Sequence, residues 1–351
     1  MAYFLAALAL SVFLTVIVRK IAIKKQIIDY PDNHRKLHNR PVPLLGGWAI
    51  FLAFWLVMGY LIFFTEILGH NLQPQRLIGV FIGSFILMIL GYFDDKKNLS
   101  PKIRLAVSAS AVIIAIAGGV GLDKITNPFG GVIALDSWQF QLGIFGTVSI
   151  LSAVIVFIWL LGMMYTTKIS DGLDGLSTGI VLVGALMIFF LSRAGKFFQP
   201  DVAVVALILA GACLGFLFFN FYPAKIFLGE GGGLFLGFIL GVLAIIAGGK
   251  IATALLVMAI PMLDFIRVIY LRFKIKQPLL KGDRRHLHYQ LLDLGWGHRQ
   301  TVLILYAVSF AFGLTTLFLQ SREKMIVLLV LAALMTFVGV WLGRQEELNK
   351  N

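Results

Sequence analysis

Charge is scarce in this chain. Only 13% of its 351 residues are Asp, Glu, Lys or Arg, about half the roughly 25% of a soluble globular domain. The length alone would suggest two soluble domains at roughly 150 residues each. The charge deficit excludes them, together with 59% hydrophobic residues and a mean hydropathy of +0.92. Cysteine is almost absent: Cys213 stands alone in an apolar run, so no internal disulfide forms and a disulfide-stapled secreted domain is excluded. Internal repeats and low-complexity segments are also missing, and the composition excludes disorder, coiled coil and collagen. Apolar sequence is plentiful, in runs that reach the ~20 residues of a bilayer crossing. The chain reads as an all-α polytopic membrane protein.

Eleven spans are expected, at about 2–19, 46–66, 75–92, 103–120, 144–165, 176–193, 201–219, 233–248, 251–271, 300–319 and 325–343. The first has its basic residues behind it and no small-residue cleavage site, so it reads as an uncleaved anchor. The odd-numbered loops and C-terminal tail hold 22 Lys and Arg, the opposite side holds 7, and Arg267 lies inside a span. The positive-inside rule then puts the N-terminus outside and the C-terminus in the cytoplasm. The expected unit is a single transmembrane domain over 1–351, with active-site loops 20–45, 93–103, 166–177, 220–233 and 272–300 on the cytoplasmic face. The outer loop 121–143 has room for a small hairpin, and many of the 36 glycines are expected at helix contacts. The net charge of +13 would raise nucleic acid as a partner for a soluble protein. Here anionic lipid and positive-inside anchoring explain it, with a phosphorylated substrate left open.

Chemistry-bearing residues collect on one parity of loops. Five of the six histidines do so, as do Asp94, Asp95, Asp171, Asp174, Glu230 and Asp283. Carboxylates contribute little to orientation, so this sorting asks for another cause. Acidic residues converging on a basic face suit a divalent cation and a phosphorylated substrate. Asp94-Asp95 repel each other unless a cation or proton intervenes, and Mg²⁺ suits such a pair; a solvated helix end beside Lys96 and Lys97 is the plain alternative. Asp171-Gly172-Leu173-Asp174 spaces two acids by three, on one face of a helical turn, or as helix caps. Gly229-Glu230-Gly231-Gly232-Gly233 enters a span and reads either as an anion cradle holding a metal-binding Glu230 or as a tight packing turn. Arg284, Arg285, His286 and His288 offer donors to phosphate. Positive-inside anchoring explains the arginines alone. Asp264 and Arg267, three apart inside the ninth span, are a functional candidate or a structural ion pair.

In order along the chain, these loops resemble the polyprenyl-phosphate N-acetylhexosamine-1-phosphate transferases. The resemblance rests on five segments. They are Asp29-Tyr30-Pro31 with Arg35-Lys36-Leu37-His38 and Arg40 to Gly47; Asp94-Asp95 with Pro101 to Arg104; Asp171 to Leu176; Asn220 to Gly229; and His286 to His288 through Arg299. The first and last look more like the branch that starts teichoic acid and O-antigen polymers than the lipid I branch. Membership implies transfer of N-acetylhexosamine-1-phosphate (GlcNAc-1-phosphate in that branch) from a UDP-sugar to undecaprenyl or another polyprenyl phosphate, with UMP released. It implies Mg²⁺, with Mn²⁺ an admissible substitute, and a multi-pass protein of the inner (cytoplasmic) membrane. Lipid bilayer is a partner, nucleic acid is not, and a homodimer is admitted.

Carried over position by position, the resemblance makes Asp94 and Asp95 catalytic and gives the metal Glu230, Asp95 and Asp171. Asn220, Phe227, Asp171, Asp174 and Lys168 then face the nucleotide-sugar. Arg285, His286, His288, Gly231 and Gly232 face phosphate. Four positions depart from the family pattern: Asn98 where a third aspartate is usual, Lys168 for asparagine, Glu230 for aspartate and Tyr289 for histidine. A family member that binds its ligands without turnover, and a transporter or flippase, are the competing readings.

Overall fold

The computed structural model describes every residue except 32–37, 69–71, 128, 136–137, 142–146, 195–197, 249, 278–284 and 349–351. Arg284 and Asp283 therefore lie outside the described residues. Helices dominate: α1 (Ala2–Lys24), α2 (Gly47–Phe64), α3 (Pro74–Lys97), α4 (Pro101–Ala117), α5 (Ile150–Ser170), α6 (Leu176–Arg193) and α7 (Pro200–Asn220). There follow α8 (Glu230–Ile246), α9 (Ile251–Val257), α10 (Ala259–Lys274), α11 (Leu287–Asp293), α12 (His298–Phe318) and α13 (Ser321–Leu348). Prolines open α3, α4 and α7, where the missing N–H costs no intrahelical bond. Ser100 caps α4 by accepting from Ile103 N–H at 3.4 Å.

A helix stands at each of the eleven expected spans, with three differences of physical interest. Among the described residues seven helices are long and apolar enough to cross a membrane, and an eighth crossing arises if α9 and α10 count as one. These two are bent by 77° about Met258, so the expected ninth span is broken rather than continuous. The fifth helix starts at Ile150 because a strand occupies Thr147–Ser149, and it runs on to Ser170. Lys168 thus sits in a last helical turn, not in a loop. The 17 residues of α8 rise only about 25 Å. Every residue of it after Glu230 is buried, against α5, α3, α2 and α6. It is the axle of the bundle rather than a lipid-facing span.

Short two-stranded pairs complete the fold. Residues Ile28–Asp29 pair with Val42–Pro43 beside the site. In the outer loop Lys124–Thr126 pairs antiparallel with Val132–Ala134, the hairpin expected there, and Gln139–Gln141 pairs with Thr147–Ser149. Glycines bring α8 onto its neighbours: a side chain on Gly91 would collide with the backbone of Gly231, and one on Gly47 with that of Gly232. Small residues at such crossings are how helices approach closely where apolar burial gives no preference.

Candidate active site

All five loops grouped by charge parity meet at one cavity of about 390 Å³. The first loop gives Asp29, His38 and Leu44, the end of α3 gives Asp94 and Asp95, and the α5–α6 junction gives Lys168 and Asp171 to Asp174. Asn220, Phe227, Gly229, Glu230 and Gly233 come from the turn into α8, and Tyr289 comes from α11. Asp94 is buried and turned back on its own helix end: Oδ1 accepts from Leu99 N–H at 2.8 Å and Oδ2 faces Arg104 Nη1 at 3.4 Å. Asn98 makes that reversal, in the left-handed region at φ 49°. Asp95 instead reaches across to α8, where its Oδ1 accepts from Glu230 N–H at 3.0 Å. Gly229, at φ 77°, is required at this crossing, since any side chain there would strike the Asp95 carboxylate.

The Asp171–Asp174 turn has two distinct acids. Asp174 Oδ2 accepts from Ala224 N–H at 2.9 Å, and its own N–H donates to His298 Nε2 at 3.0 Å, so it ties α5–α6 to the 221–227 turn and to α12. The Asp171 backbone N–H donates to Lys168 O at 3.3 Å, and its carboxylate makes no hydrogen bond or ion pair among the described residues. Burial, then the neighbouring charges of Asp174, Asp95 and Glu230, push its carboxyl well above the usual value of 3.8. Asn220 works inside the fold as well: its Nδ2 donates to Ile226 O and its Oδ1 accepts from Thr178 Oγ1, each at 3.1 Å. Phe227 faces the cavity, with the His38 ring edge-on at 5.1 Å. His38 in turn bridges Arg40 O at 2.8 Å and Asp29 Oδ2 at 3.0 Å.

Several residues expected at phosphate lie elsewhere. Gly231 and Gly232 are buried in the contacts with α3 and α2, and these contacts account for their lack of side chains. His286 is buried and directs Nδ1 to Asp264 Oδ2 at 2.9 Å, away from the cavity lining. His288 is buried behind Tyr289, against Gly172. Desolvation lowers it to about 3, so it is neutral at physiological pH. Arg285 contributes its carbonyl to Arg267 and does not line the cavity. Asp29 and His38 do line it, and the sequence alone assigns them no role. Their signal was present in the Asp-Tyr-Pro and Arg-Lys-Leu-His runs, but only the pairing of Ile28–Asp29 with Val42–Pro43 folds that loop inward.

Comparison with known proteins shows the family of the chain. Residues 77–248 match the family Glycosyl transferase family 4. The chain is 30% identical over 344 residues to a probable undecaprenyl-phosphate N-acetylglucosaminyl 1-phosphate transferase of Bacillus subtilis, covering 96% of this chain and 89% of that protein. It is 31% identical over 357 residues to the decaprenyl-phosphate N-acetylglucosaminephosphotransferase of Mycobacterium tuberculosis, covering 93% and 84%. An undecaprenyl-phosphate alpha-N-acetylglucosaminyl 1-phosphate transferase of Thermotoga maritima matches at 30% identity, over 87% and 86%. The chain belongs to the polyprenyl-phosphate N-acetylhexosamine-1-phosphate transferases. It is a multi-pass membrane enzyme, a glycosyl-1-phosphate transferase, and the transporter reading falls away.

For a glycosyl-1-phosphate transferase the charge pattern of the cavity has a direct meaning. Glu230 forms an ion pair with Lys168 and lies 3.7 Å from Arg104 Nη1, which also faces Asp94. Two of the positions that depart from the family pattern are therefore partners in space. Among the described residues no group of three or more Asp, Glu, His or Cys is arranged to hold one metal ion. Mg²⁺ does not need three protein ligands; one or two carboxylates suffice, with water and phosphate oxygens completing the shell. Asp95 and Asp171, both at the cavity, are hard oxygen donors of that kind. The donor set fits a hard divalent ion, with Glu230 engaged by an ammonium meanwhile.

Proposed function

We propose that this enzyme transfers N-acetylglucosamine-1-phosphate from UDP-N-acetylglucosamine to undecaprenyl phosphate on the cytoplasmic face of the inner membrane. What carries the reading is the convergence of five loops on one carboxylate-lined cavity, in a chain whose relatives bear polyprenyl-phosphate N-acetylglucosaminyl 1-phosphate transferase names. An oxygen of the lipid phosphate attacks the sugar-bearing phosphorus of the donor. The bond from that phosphorus to the bridging oxygen breaks, and UMP leaves with the bridging oxygen. A phosphate monoester is already anionic near neutral pH, so no strong base is needed.

The protein's task is positioning and charge neutralisation. Arg104, shared between Asp94 and Glu230, offers its guanidinium to the acceptor phosphate, and Asp94 fixes its direction. Phe227 is the face for the uracil ring, bounded by His38. Asn220 holds the turn that presents Phe227. Asp95 and Asp171, with Glu230 once released from Lys168, would hold Mg²⁺, which would offset the negative charge of the pyrophosphate. Lys168 then turns its ammonium to the donor. Purified protein with undecaprenyl phosphate, Mg²⁺ and a panel of UDP-sugars tests this. UMP and a lipid-linked pyrophosphate sugar are expected with UDP-N-acetylglucosamine. Absence of UMP with every sugar refutes the transfer, and undiminished release in excess EDTA refutes the metal.

A further inference from the structure

The bent pair α9–α10 carries two charges into an apolar helix, and the transfer chemistry uses neither. Asp264 is buried, at 4% exposure. An ion pair present only for mutual neutralisation would be complete with Arg267 Nη2 on Asp264 Oδ1 at 2.8 Å. Both partners do more. Asp264 Oδ1 also accepts from Leu287 N–H at 3.1 Å, and Oδ2 lies 2.9 Å from His286 Nδ1. A carboxylate only accepts, so that nitrogen carries the proton. Arg267 Nη2 donates to Arg285 O at 2.7 Å and to Gln290 Oε1 at 3.0 Å. All four outside partners fall within six consecutive residues, the entry and first turn of α11.

α11 carries the cavity wall. Tyr289 lines the cavity, and its Oη lies only 2.7 Å from where a side chain on Gly172 would begin. Gly172 adjoins Asp171, whose carboxylate has no partner among the described residues. The same turn is tied at its other end by the Asp174 N–H to His298 bond. The placement of α11 therefore sets the placement of the acidic turn. We propose that Asp264 and Arg267 are positioning residues of the transfer site, which act through His286 to seat Tyr289 against Gly172. The inference rests on the reading of this cavity as the transfer site.

Single removal of either charge leaves its partner buried and unpaired, which is destabilising by itself. The informative variants are therefore D264N/R267Q, which removes both charges, and H286A beside H286N, whose amide N–H can replace imidazole Nδ1–H toward Asp264. KM for the UDP-sugar, kcat and amide hydrogen exchange over residues 285–294 are measured for the whole protein in detergent. D264N/R267Q and H286A are expected to raise KM on the order of tenfold and to speed exchange at 287–290, while H286N restores both. Loss of folded protein alone would lower kcat and leave KM unchanged. Parent-like KM in D264N/R267Q and H286A, or parent-like exchange in either, overturns the proposal. If the parent itself releases no UMP, the transfer reading fails, and the exchange data still decide whether the pair seats α11.

Discussion

Replacing Lys168 by asparagine removes the one ammonium that pairs with Glu230 among the described residues. The two side chains are 21% and 13% exposed, so solvent screens them only in part. Hydrogen bonds to charged groups contribute roughly 1.5–3 kcal/mol net. An ion entering at Glu230 must first displace that contact, which lowers its apparent affinity by a comparable amount. Arg104 still faces Glu230 at 3.7 Å after the substitution, and a displaced Lys168 recovers part of the energy on a donor phosphate. The lower end of the range therefore applies. At about 1.4 kcal/mol per factor of ten, the half-saturating Mg²⁺ concentration should fall about tenfold in Lys168→Asn.

The donor loses a charge-assisted contact in the same variant, so its KM should rise on the order of tenfold. UMP release is followed in two titrations, Mg²⁺ at saturating donor and donor at saturating Mg²⁺, with Lys168→Met as a control for side-chain length. An unchanged or increased Mg²⁺ requirement refutes the reasoning. The ammonium would then not be a competitor for the cation at Glu230.

Asp95→Asn should cut turnover by about 100-fold or more and leave the protein folded in the membrane, because the amide can still accept from Glu230 N–H but brings no negative charge to a cation. Turnover within a few-fold of the parent would reduce Asp95 to a helix clip. Asp171 holds its proton to higher pH in the folded chain than in the unfolded one, so the folded state binds more protons and stability falls as pH rises from 3.8 through the raised value. Thermal unfolding in EDTA, followed upward from pH 4, should show that decline, and Asp171→Asn should lessen it, with Asp95, raised to about 7 by burial, contributing a decline of the same sign; an identical slope in the variant contradicts the assignment. Cysteines placed singly at the exposed positions Asn98 and Gln73 should react with impermeant reagents from opposite sides, Asn98 from the cytoplasm. The native Cys213 is buried and should stay silent. Labelling of both from one side would break the parity argument.

Position along the chain carried much of the site. Asp94 and Asp95, the Asp171–Asp174 turn, Asn220, Phe227 and Glu230 all fall in loops or helix ends of one parity, and the fold brings them to one cavity. Sequence order does not say where a side chain turns. His286 and His288 stand two apart in a basic loop, a pattern that suggested phosphate ligands. The 77° bend at Met258 swings α10 so that Asp264 captures His286 instead. The bend has a local signature in Pro261, which cannot donate to the Val257 carbonyl and so breaks the helix one turn before it. A fifth span at 144–165 leaves Lys168 in a loop; with α5 starting after Ser149, the ammonium lies in a helical turn opposite Glu230. The role of His38 was hidden for a similar reason, because a two-residue strand pair is too short to read from periodicity.

The glycines around Glu230 fitted two readings in sequence, an anion cradle or, the favoured one for an isolated glycine run, a packing turn, and the structure gives them consequences for the chemistry through packing. Residues four apart on a helix lie one turn above each other on the same face. Gly91 and Asp95 are so related on α3, and Gly231 directly follows Glu230 at the start of α8. Backbone contact between Gly91 and Gly231 therefore sets the distance between the Asp95 carboxylate and Glu230 N–H, now 3.0 Å. A methyl group in that contact would push the helices apart by more than the few tenths of an ångström a hydrogen bond tolerates before it ceases to be one. The second crossing, Gly47 on Gly232, fixes α8 against the helix that follows the Asp29–His38 wall. α8 meets three walls of the cavity at glycines of its first two turns, with Gly233 against Lys168 of α5 as the third. Positioning is most of what a phosphoryl-transfer enzyme must supply. In this fold much of that positioning comes from residues with no side chain at all.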